Sequence, residues 1–218
     1  MSDQRMFEAE APGALVMNLV PGESTLGRSP LAGSILRGNA LDSISAGIVF
    51  REQKLLDHLT FRCQGTPDQQ QAFEQIMGCI LPLTPLVAAS TDVCIIRWLS
   101  PDEWLITVPP GAAFGLETAF RATMPGHYSL VNGSGGLTVF QVTGPNVIDL
   151  LKKCVSVDLH VSSFPVNKVV STNFAKATCV LHRTTDDAFE LIVRRSFADY
   201  IWRWLSDAAD EFGFWVEP

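Results

Sequence analysis

The sequence is poor in charged residues and lacks the features of several large protein classes. Only 18% of its 218 residues are charged, the net charge is −7, and no basic stripe occurs that would attract a phosphate backbone or an anionic lipid surface. No uncharged stretch reaches the 18 to 20 or so apolar residues that a membrane-spanning helix needs. The first residues lack a basic segment followed by a long apolar run, so we expect no signal peptide. The sequence therefore predicts a cytoplasmic protein with neither nucleic acid nor membrane as a partner.

The cysteines do not form the patterns of a disulfide framework or a metal site. Their number is odd, and no Cys-x-x-Cys pair or Cys/His pair with metal-ligand spacing occurs. We expect buried free thiols at all five positions, which are Cys63, Cys79, Cys94, Cys154 and Cys179.

Glycine and proline interrupt the first 43 residues so often that no helix or long strand fits there. Apolar residues nevertheless occur in this segment, among them Leu19, Val20, Leu31 and Leu36. We therefore expect an extended N-terminal arm that lies along another surface, either of its own domain or of a partner.

Two helices have the clearest local signals. Thr66, Pro67 and Gln69 form the pattern of a capping box with proline at the first helical position. The last helix carries an apolar stripe and is predicted to begin with a cap formed by Ser196 and Asp199. Helices are predicted to begin at Thr66, Ala112, Gly144-Pro145 and Ser196, and strands are predicted at 44–50, 55–63, 93–99, 103–108, 127–131, 137–142, 176–182 and 189–194. Turn residues at Ser100-Pro101-Asp102 and at Thr185-Asp186-Asp187 predict hairpins at 93–108 and 176–194.

The order of these elements is strand, helix, strand pair, helix, written approximately twice. Such an order favours antiparallel sheets over an alternating parallel architecture. We predict an α+β fold with two similar lobes of antiparallel sheet, each with helices on one face. The predicted segments are the arm at 1–43, a first lobe at 44–125 and a second lobe at 126–218.

The run Asn132-Gly133-Ser134-Gly135-Gly136 is the most conspicuous candidate for a ligand-binding loop. A phosphate-binding loop needs a helix directly after it, whereas 137–142 alternates like a strand. A nucleophile elbow needs glycine two residues before the serine, and Asn132 stands at that position. We interpret this run as a hairpin turn.

Other polar residues each have a functional and a structural interpretation. Asp102-Glu103 could supply a general base or could simply form the turn before a strand. Arg194-Arg195 could clamp a carboxylate, or could pair with a partner or with the acidic face of the last helix.

Histidines and tryptophans have the same two interpretations. The histidines have no neighbours at metal-ligand spacing, so we expect ordinary hydrogen-bonded or surface residues; they are His58, His127, His160 and His182. The tryptophans could stack on a flat ring such as folate or flavin, but core or interface packing is the simpler expectation; they are Trp98, Trp104, Trp202, Trp204 and Trp215. The sequence therefore predicts no catalytic, cofactor-binding or metal-binding residues on this chain.

Several segments together resemble a known family. They are Arg97–Ile106 with Trp98-Leu99-Ser100-Pro101-Asp102-Glu103-Trp104, the stretch 144–165 with Asp158-Leu159-His160 and Phe164-Pro165, the stretch 195–205 with Trp202-Arg203-Trp204, and Ser29-Pro30-Leu31. In this order they are similar to the gamma subunit of heterotetrameric sarcosine oxidase, a small relative of the glycine-cleavage T-protein group. The resemblance extends from the arm to Gly213.

The resemblance implies a T-protein-like fold with ferredoxin-like lobes and a role as a non-catalytic subunit. In that family the complex demethylates sarcosine oxidatively to glycine, and tetrahydrofolate accepts the one-carbon unit. FAD, FMN, NAD and tetrahydrofolate are expected on the other subunits, and the chief expected partner is the alpha-type subunit. Related chains tend to have aspartate where this chain has Asn132, which makes independent folate chemistry less expected.

Two alternatives remain open at the level of sequence. One is a stand-alone folate-binding or aminomethyltransferase-like protein that uses the cleft between the lobes. The other is a scaffolding protein outside any metabolic complex.

Overall fold

The computed structural model describes residues 27–33 and 46–217. Most of the predicted arm and the beginning of the strand predicted at 44–50 lie outside the described residues. The helices are α1 (Pro67–Met77), α2 (Ala113–Thr123), α3 (Val147–Lys152) and α4 (Ala198–Ala209). The strands are β1 (Ile48–Gln53), β2 (Asp57–Cys63), β3 (Ala88–Ser90), β4 (Ile95–Ser100), β5 (Glu103–Val108), β6 (Tyr128–Asn132), β7 (Leu137–Thr143), β8 (Val169–Phe174), β9 (Ala177–Thr185), β10 (Ala188–Arg194) and β11 (Phe214–Glu217).

The strands form two sheets, which confirms the predicted α+β class. The five-stranded sheet has the order β3-β4-β5-β2-β6, and the six-stranded sheet has the order β11-β1-β7-β10-β9-β8. Neighbouring strands are antiparallel, except that β1 and β11 are parallel. The hairpins predicted at 93–108 and 176–194 are confirmed as β4-β5 and β9-β10.

Each sheet takes one strand from the opposite half of the chain. β1 pairs with β7 in the six-stranded sheet, and β6 pairs with β2 in the five-stranded sheet. The predicted hairpin turn at 132–136 is therefore wrong, because the chain passes there from one sheet to the other and β6 does not pair with β7. The division into lobes at 44–125 and 126–218 stays a prediction. β1 and β6 each pair with a strand from the other predicted lobe.

Helices cover the outer faces of the sheets. α1 and α2 cover the five-stranded sheet around a core that includes Phe61, Phe73 and Phe120. α3 and α4 cover the six-stranded sheet, where the rings of Phe50 and Trp202 lie 5.4 Å apart. The inner faces of the two sheets pack against each other around three buried apolar side chains, Leu105, Val139 and Ile192.

The two predicted helix caps have different outcomes. At α1 the Thr66 side chain accepts a hydrogen bond from the Gln69 amide, and the Gln69 side chain accepts one from the Thr66 amide, so the capping box is confirmed. At α4 the predicted start at Ser196 is wrong, since the cap residue is Phe197, which forms no side-chain capping hydrogen bond. A 3₁₀ turn at Arg195–Phe197 precedes α4, and the Arg195 carbonyl already accepts from the Ala198 amide.

The described part of the arm lies on its own domain. Leu31 is fully buried in the core beneath α3 and α4. The Ser29 hydroxyl donates a hydrogen bond to Glu52 Oε2, and Glu52 Oε1 accepts another from Thr138 at 3.0 Å. Residues 27–33 therefore lie against the six-stranded sheet of their own domain, which is one of the two surfaces that the sequence left open.

Candidate functional site

The inner faces of the sheets enclose what we call the polar cluster. It consists of Arg97, Thr107 and His58 from the five-stranded sheet and His182 and Glu190 from the six-stranded sheet. All five residues are 5% exposed or less. Strand register explains the grouping, because His58 stands opposite Thr107 in β2-β5 and His182 stands opposite Glu190 in β9-β10.

Arg97 connects the two halves of the polar cluster. Its Nη2 forms an ion pair with Glu190 Oε2. Its Nη1 donates to Thr107 Oγ1 at 2.7 Å, and its Nε lies 3.4 Å from His182 Nδ1. The second oxygen of Glu190 accepts from Gln53 Nε2 at 2.9 Å. Because both carboxylate oxygens are engaged, the arrangement is suited to joining the sheets rather than to transferring protons.

Burial and the Arg97 charge set the protonation states in the cluster. Burial raises the pKa of Glu190, but the hydrogen bond to His182 and the Arg97 charge outweigh it and lower that pKa to about 2. Burial, reinforced by the Arg97 charge, lowers the pKa of His58 to about 4. Burial also lowers the pKa of His182. At neutral pH the carboxylate is therefore charged and both imidazoles are neutral.

The other two histidines do not join the polar cluster. His160 lies in an exposed loop, where its Nδ1 is 2.7 Å from Ser162 Oγ. His127 precedes β6, and its carbonyl accepts a hydrogen bond from Gln69 Nε2 at 3.0 Å. These contacts agree with the ordinary hydrogen bonding expected from the sequence.

Asp102 forms part of a turn. It lies between β4 and β5, forms an exposed ion pair of 2.6 Å with Arg62, and accepts a hydrogen bond from Ser100 Oγ at 2.9 Å. The hydrogen bond from Arg62 lowers the pKa of Asp102. These contacts agree with the structural interpretation of Asp102-Glu103.

Ser134 serves the turn between the sheets. Its Oγ accepts a hydrogen bond from the His58 amide at 3.1 Å, and its own amide donates to Asn132 Oδ1 at 3.0 Å. The Gly136 amide donates to the Gly133 carbonyl at 2.9 Å and closes the turn. A strand follows this turn, as expected from the sequence, and the loop therefore lacks the geometry of a phosphate-binding loop or a nucleophile elbow.

The tryptophans do not gather around one cleft. Trp104 is buried next to Phe61 in the core of the five-stranded sheet, and Trp202 is buried next to Phe50 in the other core. Trp204 is 41% exposed on α4. Packing is therefore the main role of the two buried rings.

The positions of the cysteines and of other possible metal ligands determine what chemistry these side chains can perform. All five cysteines are free thiols, and four are buried while Cys79 is half-buried. Within residues 27–33 and 46–217, no three His, Cys, Asp or Glu side chains come together in a way that could hold a metal ion. In the same part of the chain, no helix is both long and apolar enough to cross a membrane.

Two open clefts border the place where the sheets meet. The first, of about 560 Å³, lies on the inner face of the six-stranded sheet and is lined in part by Leu137, Val180 and Ile192. The second, of about 800 Å³, brings Arg194 and Arg195 next to Gly135, Gly136 and the described arm. The sequence motifs Gly135-Gly136 and Arg194-Arg195 are thus neighbours in space.

Sequence reasoning missed the polar cluster, because it treated the histidines one by one and gave Arg97 and Glu190 no common role. Two signals pointed to them. Arg97 interrupts the apolar run 95–99, and Glu190 shares the inward face of β10 with Ile192. The partner of each charge lies on the other sheet, which no local pattern reveals.

The two packed sheets with helices on the outer faces define a T-protein-like α+β protein. The chain is similar to the glycine cleavage system aminomethyltransferase T from Bartonella henselae, with a TM-score of 0.59 and 12% identity over 78% of this chain and 48% of that one. This likeness concerns the fold alone. A greater likeness is found with a chain of the heterotetrameric sarcosine oxidase from Corynebacterium sp. U-96 in complex with pyrrole 2-carboxylate. The TM-score is 0.76 and the identity 26%, over 86% of this chain and 97% of that one.

Sequence comparison identifies the family. The model of the sarcosine oxidase, gamma subunit family matches residues 64–211. The sarcosine oxidase subunit gamma of Corynebacterium sp. (strain P-1) is 29% identical over 87% of this chain and 94% of its own length. That of Arthrobacter sp. is 28% identical over 91% and 97%. The chain belongs to the sarcosine oxidase gamma subunit family, which confirms the resemblance found in its sequence.

Proposed function

We propose that this chain is the gamma subunit of a heterotetrameric sarcosine oxidase and that it carries no catalytic residues of its own. The complex would demethylate sarcosine oxidatively to glycine and pass the one-carbon unit to tetrahydrofolate. FAD, FMN, NAD and tetrahydrofolate would be bound by other subunits of a cytoplasmic complex. The larger alpha-type subunit would be the chief partner, with the arm at 1–43 and one face of the lobes at 44–125 and 126–218 as contact surfaces.

One observation carries the absence of a catalytic role. The space between the sheets is occupied by the chain's own side chains, namely the apolar contact of Leu105, Val139 and Ile192 and the ion pair of Arg97 with Glu190. Both oxygens of Glu190 and the three side-chain nitrogens of Arg97 have hydrogen-bond partners within the chain, so this pair offers no free acid or base to a substrate. This chain covers 94% and 97% of the length of the two gamma relatives, which supports a role in assembly.

Affinity purification of the tagged chain from its native host tests this proposal. We expect three partner chains to co-purify, identified by mass spectrometry, and a yellow eluate with the visible absorbance of flavin. The matched control is the same tag on an unrelated protein from that host. A colourless chain that elutes without partners would overturn the proposal.

A second candidate function is a stand-alone folate-binding or aminomethyltransferase-like protein. The observation in its favour is the open cleft of about 560 Å³ on the inner face of the six-stranded sheet, where apolar Val180 and Ile192 lie beside polar Ser171 and Thr178. Calorimetric titration of the purified chain with tetrahydrofolate tests it. Binding that is lost in Thr178→Asp, at an exposed lining residue, but kept in the surface variant Val93→Asp would favour this second function, whereas no heat of binding would dispose of it.

A further inference from the structure

The cleft that contains Arg28, Arg194 and Arg195, here called the arginine cleft, has no role in the fold or in the proposed function so far. One wall comes from the described arm, the second from the turn between the sheets, and the third from the end of β10. Its volume is about 800 Å³, and it is lined by Arg28, Ser29, Pro30, Gly33, Gly135, Gly136, Arg194, Arg195 and Ser196.

The walls of the arginine cleft are fixed to each other by hydrogen bonds. The Arg195 amide donates to the Gly136 carbonyl at 2.9 Å, and Arg195 Nη2 donates to the Arg28 carbonyl at 2.6 Å. Gly135 has a φ of +81°, a backbone conformation that glycine adopts without the strain of a side chain. Leu31 in the core anchors the arm side. The cleft is thus built before any ligand arrives.

The charge of the arginine cleft is not neutralised within the described part of the chain. Arg28 and Arg194 are exposed, and within residues 27–33 and 46–217 neither they nor Arg195 form an ion pair. Most other arginines there do have carboxylate partners: Arg51, Arg62, Arg97, Arg183 and Arg203. The predicted pairing of Arg194-Arg195 with the acidic face of α4 is therefore not found among these residues. In a chain of net charge −7, three arginines without a carboxylate partner among the described residues point to an external anion.

The surroundings favour a protein partner over a small anion. Phe197 follows the cleft residue Ser196 directly and is 40% exposed. Arginine and aromatic side chains dominate the energetics of protein interfaces, and guanidinium groups bind carboxylates through two parallel hydrogen bonds. An open cleft with this composition fits an extended acidic peptide that also carries an apolar side chain.

We propose that the arginine cleft is the docking site for a carboxylate-bearing segment of a partner subunit. This inference rests on the proposed function, because it needs a complex that contains this chain. It assigns to Arg28 and Arg194 direct contact with the carboxylates and to Arg195 the additional role of holding the arm against the turn.

Competition between two forms of the chain during assembly tests the inference. The wild-type chain and the variant R28E/R194E are co-expressed with a tagged larger subunit, and mass spectrometry gives their ratio in the purified complex relative to the lysate. The control variant is Arg121→Glu, which reverses the charge of an exposed side chain on α2, the helix that covers the five-stranded sheet. Because the changed side chains are exposed and make no hydrogen bond among the described residues, we expect the melting temperatures of both purified variants to equal that of the wild type.

We expect R28E/R194E to be under-represented in the complex by about tenfold or more, and Arg121→Glu to enter it as often as the wild type. Slower amide hydrogen exchange at 133–136 and 194–197 in the wild-type complex than in the free chain would agree with this result. Equal incorporation of R28E/R194E and wild type would overturn the inference. If incorporation is equal and inorganic phosphate also stabilises the free wild-type chain, the inference is likewise overturned, because the cleft then binds a small anion. If the wild-type chain itself enters no complex, the proposed function fails as well.

Discussion

Arg97 and Glu190 form an ion pair that joins the two sheets with side-chain exposures of only 1% and 4%. The two residues are 93 positions apart in the sequence. Removing two charges from water costs several kcal/mol, which only their mutual attraction and further hydrogen bonds can offset. The pair therefore fixes how the two sheets face each other more than it adds net stability.

The variant Arg97→Met leaves Glu190 buried without its partner. We expect it to lower the free energy of unfolding by about 3 to 5 kcal/mol, measured by urea denaturation. The double variant R97M/E190L removes both charges and should recover most of that loss. A double variant that is as unstable as the sum of the two single variants would contradict the interpretation of a mutually compensated pair.

The pKa of His58 predicts a specific dependence of stability on pH. In the unfolded chain His58 takes up a proton near its ordinary pKa of 6.5, whereas in the folded protein its pKa is about 4. Between these values the unfolded state binds more protons, so stability falls as the pH falls from 6.5 to 4, by up to about 3 kcal/mol from this residue. The lowered pKa of His182 acts in the same direction.

Urea denaturation at several pH values checks this dependence. In His58→Gln the loss of stability between pH 6.5 and 4 should be smaller than in the wild type. His160→Gln, at an exposed position, serves as the control and should keep the wild-type slope. Identical slopes in the His58 variant and the wild type would argue against a neutral buried imidazole.

Leu31 anchors the described part of the arm to the core. Since its side chain is fully buried, we expect Leu31→Ala to cost about 2 to 4 kcal/mol of stability. Leu83, which is 45% exposed, provides the control, and Leu83→Ala should change stability by less than about 0.5 kcal/mol. Chemical denaturation measures both, and equal effects would mean that the arm is not part of the core.

The capping box at α1 allows a small and local test. Thr66→Ala removes the hydrogen bond to the Gln69 amide and should lower stability by about 1 kcal/mol. Thr66→Ser keeps the hydroxyl group and should stay close to the wild type in thermal denaturation. If the two variants melted at the same temperature, the hydroxyl group would have no capping role.

The sequence predicted those elements whose signals are local. The Thr66 capping box and the Ser100-Pro101-Asp102 turn of the β4-β5 hairpin depend on neighbouring residues only, and both are found in the structure. The strands β3, β8 and β11 were missed. β8 joins the six-stranded sheet as an edge strand beside β9, in a segment for which the sequence pattern predicts no strand.

Features that depend on distant contacts could not be predicted. Alternating apolar residues in β1 and β6 indicate strands, but they do not say which sheet each strand joins. The same holds for the polar cluster, because the pattern places Arg97 and Glu190 in strands without naming the partner of either charge. Arg194 and Gly136 likewise lie close together only because the turn at 133–136 carries the chain from one sheet to the other.

Native mass spectrometry of the complex purified through a larger subunit tests the central claim most directly. We predict an intact assembly that contains one copy of this 23.8 kDa chain and that, under competition, contains the wild-type chain in preference to R28E/R194E. An assembly of three subunits that lacks this chain, yet is as abundant and as active in sarcosine oxidation as in its presence, would contradict the claim that the chain is a subunit required for assembly.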